Sequence, residues 1–383
     1  MKSETSKLLL VSVGAAISIA CSPAAEAQSQ TVKLGFSAPM TGPQAQYGKD
    51  YESGVLLAIE DFNATHPKVD GKITTFVLDK EDDQGDPKTG TIVAQRLVDD
   101  GIKGMVGHFN SGVTIPASAI YNRAGIPEVS VATAPTYTRQ GFKTTFRMMT
   151  SDTQQGSVMG QYVVNKLHAK RIAIVDDRTA YGQGLAEEFE KAVKAAGGNI
   201  IDHQFTTDKS TDFKSILTLL KGKNPDFVYY AGADTQSAPM LKQARSLAMT
   251  ATFASGEMSK TDNFIKVAGQ ASEGAIVSLA GLPLEKMPGG AGFTKRYEAK
   301  FGTKPTTYAP YSYDGATAMM TAMTEANSSD PNVYLPKLAQ IDMKGVTTDH
   351  FSYDKYGDLR DAVVTVYKCE QGAWVPLDVI NPK

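Results

Sequence analysis

The chain has 383 residues, a formal net charge of −2 at neutral pH and 42% apolar residues. That length exceeds what one core normally organises and points to two domains. The near-neutral balance argues against a nucleic-acid partner, which would favour a basic face.

The first segment reads as an export signal. Lys2 and Lys7 precede an uncharged run over 8–20, and Ala25-Glu26-Ala27 places small residues where a signal peptidase reads. A signal peptide over 1–27, cleaved after Ala27, is expected, and with it a periplasmic location. The apolar run is shorter than the roughly 20 residues a bilayer span needs. A lipoprotein signal ending at Cys21 is the alternative, although Ser18 stands where a bulky aliphatic residue is usual. After cleavage at Ala27, Cys369 is the only thiol, so neither an internal disulfide nor a cysteine zinc site is expected.

In chain order, 32–36 reads as a strand, and 51–62 as a helix with Val55, Ile59 and Phe62 on one face. A strand over 73–78 follows. Asp86-Pro87 then marks a helix start: Asp caps free N–H groups and Pro fits the first turn. Strands over 102–106 and 127–131 flank a helix near 114–123. The pattern restarts after Thr150, with a helix over 155–167, a buried strand over 171–175 (RIAIV) and a helix over 181–196. A helix over 212–220, a strand over 226–230 (DFVYY), a helix over 236–247 and strands at 252–254 and 275–279 continue it. Helices over 293–301 and 313–326 come next. The tail holds 351–353 and a hairpin of 363–368 and 373–377 around Glu370-Gln371-Gly372. Period-two and period-3.6 segments in alternation predict an α/β fold, with mostly parallel sheets flanked by helices. Two lobes are expected without a low-complexity linker, so the joins must be short crossing strands.

Catalytic and metal motifs are not found. The five histidines lack metal or triad spacing, and His108, at a strand end, reads as a core residue. Ser111 and Ser255 do not sit in a hydrolase elbow. No Gly-rich nucleotide loop follows a strand. Glu81-Asp82-Asp83 with Asp86 lacks the alternating oxygen ligands of a calcium loop and reads as a solvated turn and cap. No cofactor or metal is expected. What remains lies at the carboxyl ends of strands, where open α/β sheets hold ligands. Gly107-His108-Phe109-Asn110-Ser111 lies between a strand and a helix, and such a helix start offers free N–H groups to an anion. Thr133 follows the next strand. Tyr181 and Glu257 follow strands of the second half, and a carboxylate there can face an ammonium.

On these residues the chain resembles the leucine/isoleucine/valine-binding family of periplasmic proteins, the type I periplasmic-binding-protein fold. The landmarks are MTGPQAQYG at 40–48, DDQGDP at 82–87, VGHFNSGVTIPAS at 106–118, ATAP at 132–135, YGQG at 181–184, DFVYYAG at 226–232, LKQAR at 241–245 and FSYDKYGD at 351–358. The resemblance covers about 32–377. It implies two lobes joined by a multi-strand hinge, with 28–150 and 278–360 in lobe I and 151–277 and 361–383 in lobe II. It implies a substrate-binding component of an ABC-type uptake system, taking an aliphatic, branched-chain-like amino acid in the cleft and delivering it to an inner-membrane permease. A monomer without enzymatic activity is expected.

By position, the resemblance implies that Ser111 meets the ligand carboxylate, that Thr133 and the carbonyl of Val131 meet the head group, and that Glu257 meets the α-ammonium. Tyr181 closes over the ligand from the opposite lobe, and Tyr47, Phe109 and Tyr308 form the pocket wall. Branched-chain binders of the family often carry an aromatic residue where this chain has Ala233, so the side-chain slot is expected to be wider. An aromatic or aliphatic carboxylate as ligand, or a sensing module of the same fold, are the alternatives. Glu257 opposes the first, since it would face a group without positive charge.

Overall fold

A computed structural model describes residues 29–381, with Met1; the expected signal segment and Cys21 fall outside these residues. Two sheets form. The first has the order β2-β3-β1-β4-β5-β6, from β1 (Ser29–Ala38), β2 (Lys68–Val69), β3 (Lys72–Asp82), β4 (Gly104–Gly107), β5 (Glu128–Ser130) and β6 (Thr145–Arg147). All its pairs are parallel except β2 with β3.

The second sheet is built from β7 (Ile172–Asp176), β8 (Ile200–Phe205), β9 (Phe227–Ala231), β10 (Thr252–Ser255) and β11 (Ile276–Leu279), all parallel. A small ribbon, β12 (Asp342–Met343) and β13 (Phe351–Ser352), stands apart from both sheets. The late hairpin β14 (Val364–Glu370) and β15 (Ala373–Ile380) then adds to the second sheet, with β14 antiparallel to β11.

Strands covered by helices on both faces need no polar face. Accordingly β4, β7 and β9 are buried along their whole length. Asp86 caps its helix as expected, accepting a hydrogen bond from the Thr89 N–H at 2.7 Å. The hairpin turns at Gln371 and Gly372, with φ of 52° and 74°, a two-residue turn whose twist matches the strands it joins.

Several elements escape the sequence pattern, and four of them show why. β8 (IIDHQF) is a half-buried edge strand with three polar residues, so it shows no apolar run. β6 is three residues long and contains a buried arginine, Arg147. The helix Pro331–Ala339 carries an internal Pro336, and the helix Asp262–Ala268 spans two turns.

The chain passes between the sheets three times, near 148–151, 280–283 and 360–363. These segments are tied together: the Thr150 hydroxyl donates to the Val363 carbonyl (2.9 Å) and the Thr365 hydroxyl to the Gly281 carbonyl (2.6 Å). Ser278 and Leu279 pair with β14, so the second crossing starts just after them. The helices Gly290–Phe301 and Ala309–Glu325 return to pack on the helix Ala45–Asn63 beside the first sheet. No helix among the described residues is long and apolar enough to cross a membrane.

Candidate functional site

The carboxyl ends of both sheets face one cleft. On the first side, β4 ends at Gly107, which has φ of 148° and passes so close to Ser37 that a Cβ would lie 2.6 Å from its carbonyl oxygen. The chain then turns at Asn110 into the helix Ser111–Arg123. The N–H groups of Ser111 and Gly112, in its first turn, have no acceptor among the described residues. They give this corner an excess of donors and the positive end of a helix dipole. The Ser111 hydroxyl accepts from the Ala134 N–H at 3.2 Å, tying the helix start to the loop after β5 that carries Val131 and Thr133. Buried Arg147 supports that loop from beneath: it donates to the carbonyls of Ala132 and Ala134, to the Thr138 hydroxyl, and to Asp358.

The wall is aromatic. Tyr47 stacks on Phe109 with centroids 5.5 Å apart, and Tyr308 meets both rings edge-on at 5.9 and 4.7 Å. Tyr308 is held by buried Asp50, whose carboxylate accepts the N–H groups of Thr306, Tyr308 and Ala309 at the start of the helix Ala309–Glu325.

On the second side, Glu257 follows β10 and is 3% exposed. Its Oε2 accepts from the Tyr181 hydroxyl (2.9 Å) and from the Gln155 amide (3.0 Å), and Gln155 is itself held by Ser278. Gly256 has to be glycine here, because a Cβ would lie 2.5 Å from the Tyr181 hydroxyl oxygen. No cation pairs with Glu257 among the described residues. Burial raises its carboxyl above the ordinary value, and the bonds from Tyr181 and Gln155 recover part of that rise. Fully buried Asp152, at the start of the helix Asp152–Asn165, is raised further by burial and by the charge of Glu257. The corner is therefore short of positive charge, and an ammonium would relieve that.

Ser111, Val131, Thr133 and Phe109 from the first side, Tyr181 and Glu257 from the second, and Tyr308 line one small, closely packed cavity, together with Asn110 and Met258. Tyr47 lies behind Phe109 and Tyr308 and reaches across the cleft, donating to Asp234 Oδ1 (2.5 Å) and to the Met258 carbonyl (2.8 Å). Residues that the sequence reading did not single out complete the site: Gln155, Asp152 and Met258. Gln155 had a readable signal, a polar side chain on the same helical face as Val158, Met159 and Tyr162. His108, read as core, is fully buried between Asp83 (2.7 Å) and Tyr121 (3.1 Å).

Comparison with known proteins fits this geometry. The family described as Periplasmic binding protein matches residues 31–373. A Leu/Ile/Val-binding protein homolog 1 of Brucella melitensis is 34% identical over 343 residues, 89% of this chain and 91% of that protein. A leucine-, isoleucine-, valine-, threonine-, and alanine-binding protein of Pseudomonas aeruginosa is 30% identical, covering 94% and 95%. Among solved structures, a branched-chain amino acid transporter substrate-binding protein of Streptococcus pneumoniae, in complex with isoleucine, superposes with a TM-score of 0.83 at 25% identity, covering 92% and 100%.

Proposed function

The chain belongs to the periplasmic binding protein family, and from that premise we propose that it is the substrate-binding component of an ABC-type uptake system, holding an aliphatic, branched-chain-like amino acid between its lobes. One observation carries the reading: the two sides of the cleft are complementary halves of a zwitterion site. The first side supplies the Ser111 hydroxyl and N–H and the Thr133 hydroxyl for a carboxylate. The second supplies Glu257, oriented by Tyr181 and Gln155, for an ammonium. Burying a charged group is costly unless it is paired, so neither half satisfies the head group alone. Ligand therefore favours the closed form over the open one, which is a hinge mechanism. The aromatic wall of Phe109 and Tyr308, backed by Tyr47, covers an aliphatic side chain.

In this reading the lobe expected over 28–150 and 278–360 gives up Ser278 and Leu279, which are strand residues of the second sheet; residues 29–150 and 280–360 move as one lobe and 151–279 with 361–381 as the other, about the three tied crossings. The protein acts as a monomer in the periplasm after removal of residues 1–27, hands its cargo to a membrane permease, and turns nothing over. Titration calorimetry against leucine, isoleucine and valine, alongside their deaminated acids, tests the reading. Saturable binding of the amino acids with weak binding of the acids supports it. The reverse order would assign the cleft to carboxylates.

A further inference from the structure

The head-group cavity opens into a second chamber. It shares Asn110, Ser111, Tyr181 and Met258 with a cavity of about 340 Å³, partly open to solvent, that runs along the cleft past Ala233 to Asp177 and Asp208. Ala233, the residue preceding the helix Asp234–Ser246, presents only a methyl group to the chamber from that side.

The free N–H groups of Ser111 and Gly112 stand at one end of the chamber, and its other end is lined by carboxylates. Asp177 is 4% exposed, yet only one of its oxygens is used: Oδ1 accepts from the Thr179 N–H (3.0 Å) and hydroxyl (2.6 Å), while Oδ2 has no donor among the described residues. Asp208 adds a further carboxylate at the mouth. The one cation lining the chamber, Arg178, is engaged elsewhere, 3.8 Å from Asp176 and with its guanidinium 3.9 Å above the Phe205 ring. Burial lifts the Asp177 carboxyl to about 6, with the Asp208 and Asp176 charges adding to the rise. A buried carboxylate kept without a cation is costly to the fold, and a ligand donor would offset that cost.

We propose that this chamber receives the distal part of the ligand, so that the cargo includes α-amino acids with a long side chain ending in N–H donors, such as a guanidinium or ureido group. The inference rests on the head-group reading above, since Ser111, Thr133 and Glu257 still hold the backbone end. Ala233 leaves the passage open, and Asp177 Oδ2 accepts the terminal N–H groups.

Titration calorimetry of the mature chain with L-leucine, L-arginine and L-citrulline tests it, using wild type, Asp177→Asn, Ala233→Tyr and Glu257→Gln. Arginine or citrulline should bind within tenfold of leucine or tighter. Asp177→Asn keeps the Oδ1 that Thr179 uses; it should weaken the long ligands at least tenfold and leucine less than twofold. Ala233→Tyr should block the long ligands and spare leucine. Leucine binding with neither long ligand bound would overturn the inference while leaving the head-group reading intact, as would equal effects of Asp177→Asn on all three. Binding of every ligand without regard to Glu257→Gln would remove the head-group reading, and the inference with it.

Discussion

Removing one hydroxyl from Tyr47 should loosen the closed state for every ligand alike. Tyr47 sits on the first side of the cleft, and its O–H reaches the carboxylate of Asp234 at 2.5 Å and the Met258 carbonyl at 2.8 Å on the second. Tyr47→Phe keeps the stack on Phe109 and the edge contact with Tyr308, and deletes only these bonds. Asp234 is not left uncompensated, because its Oδ2 still accepts from Gln46 (3.2 Å), Thr261 (2.5 Å) and Asn263 (3.1 Å). The loss is then that of one hydrogen bond to a charged group, about 1.5–3 kcal/mol. The bond spans the lobes and is absent from the open form, so the whole of it falls on the closing equilibrium. At tenfold per 1.4 kcal/mol, ligand dissociation constants rise about 10- to 150-fold. Calorimetry with two ligands of different side chain measures this. Dissociation constants within twofold of wild type, or a penalty that depends on the side chain, would refute a ligand-independent latch.

Three further outcomes follow from buried charges. Arg147→Met should cost about 3–5 kcal/mol in denaturant unfolding, since it strips a buried partner from Asp358 and unties the carbonyls of the Ala132–Ala134 loop. Asp177 has a folded-state value of about 6 against an ordinary 3.8, so its favourable contribution is complete below about pH 4 and is lost as pH rises through about 6. Asp177→Asn escapes that loss and should be up to about 3 kcal/mol more stable than wild type at pH 7, with the difference vanishing near pH 4 in urea titrations. Glu257 is raised by burial in the free protein, and an ammonium pairs only with its ionised form. Amino-acid affinity should therefore fall as pH drops through that raised value, with proton release seen when calorimetry is repeated in buffers of different ionisation enthalpy.

Much of the fold was legible because both sheets are made of short apolar strands separated by amphipathic helices, and the restart after Thr150 is real: β7 and its successors form the second sheet. What escaped did so for physical reasons. β8 lies at a sheet edge, where one half-exposed face admits Asp202, His203 and Gln204. Helix starts were read late: the helix expected from 51 begins at Ala45, and that expected from 114 begins at Ser111, because polar first turns carry no apolar stripe. The side chains expected at the cleft could be named because strand ends and helix starts mark themselves in sequence. Their supports could not. Asp50, which positions Tyr308, acts over a separation of 258 residues, and Gln155, which orients Glu257, over 102. No local pattern encodes such pairs. The carboxylate of the second chamber was equally silent, since nothing in sequence tells that Asp177 Oδ2 has no donor among the described residues.

The central claim is that Glu257 reads the α-ammonium of an amino acid. Calorimetry of wild type and Glu257→Gln against L-leucine and 4-methylpentanoate, which is leucine without its amino group, tests it most directly. The substitution keeps the side chain's size and removes its charge, so leucine binding should weaken by about 2–5 kcal/mol, the range for deleting one side of a buried charge pair. Binding of 4-methylpentanoate should be little affected or improve, because the repulsion between its surroundings and the Glu257 charge is gone. Equal losses for both ligands would contradict the account and make Glu257 a wall of the pocket.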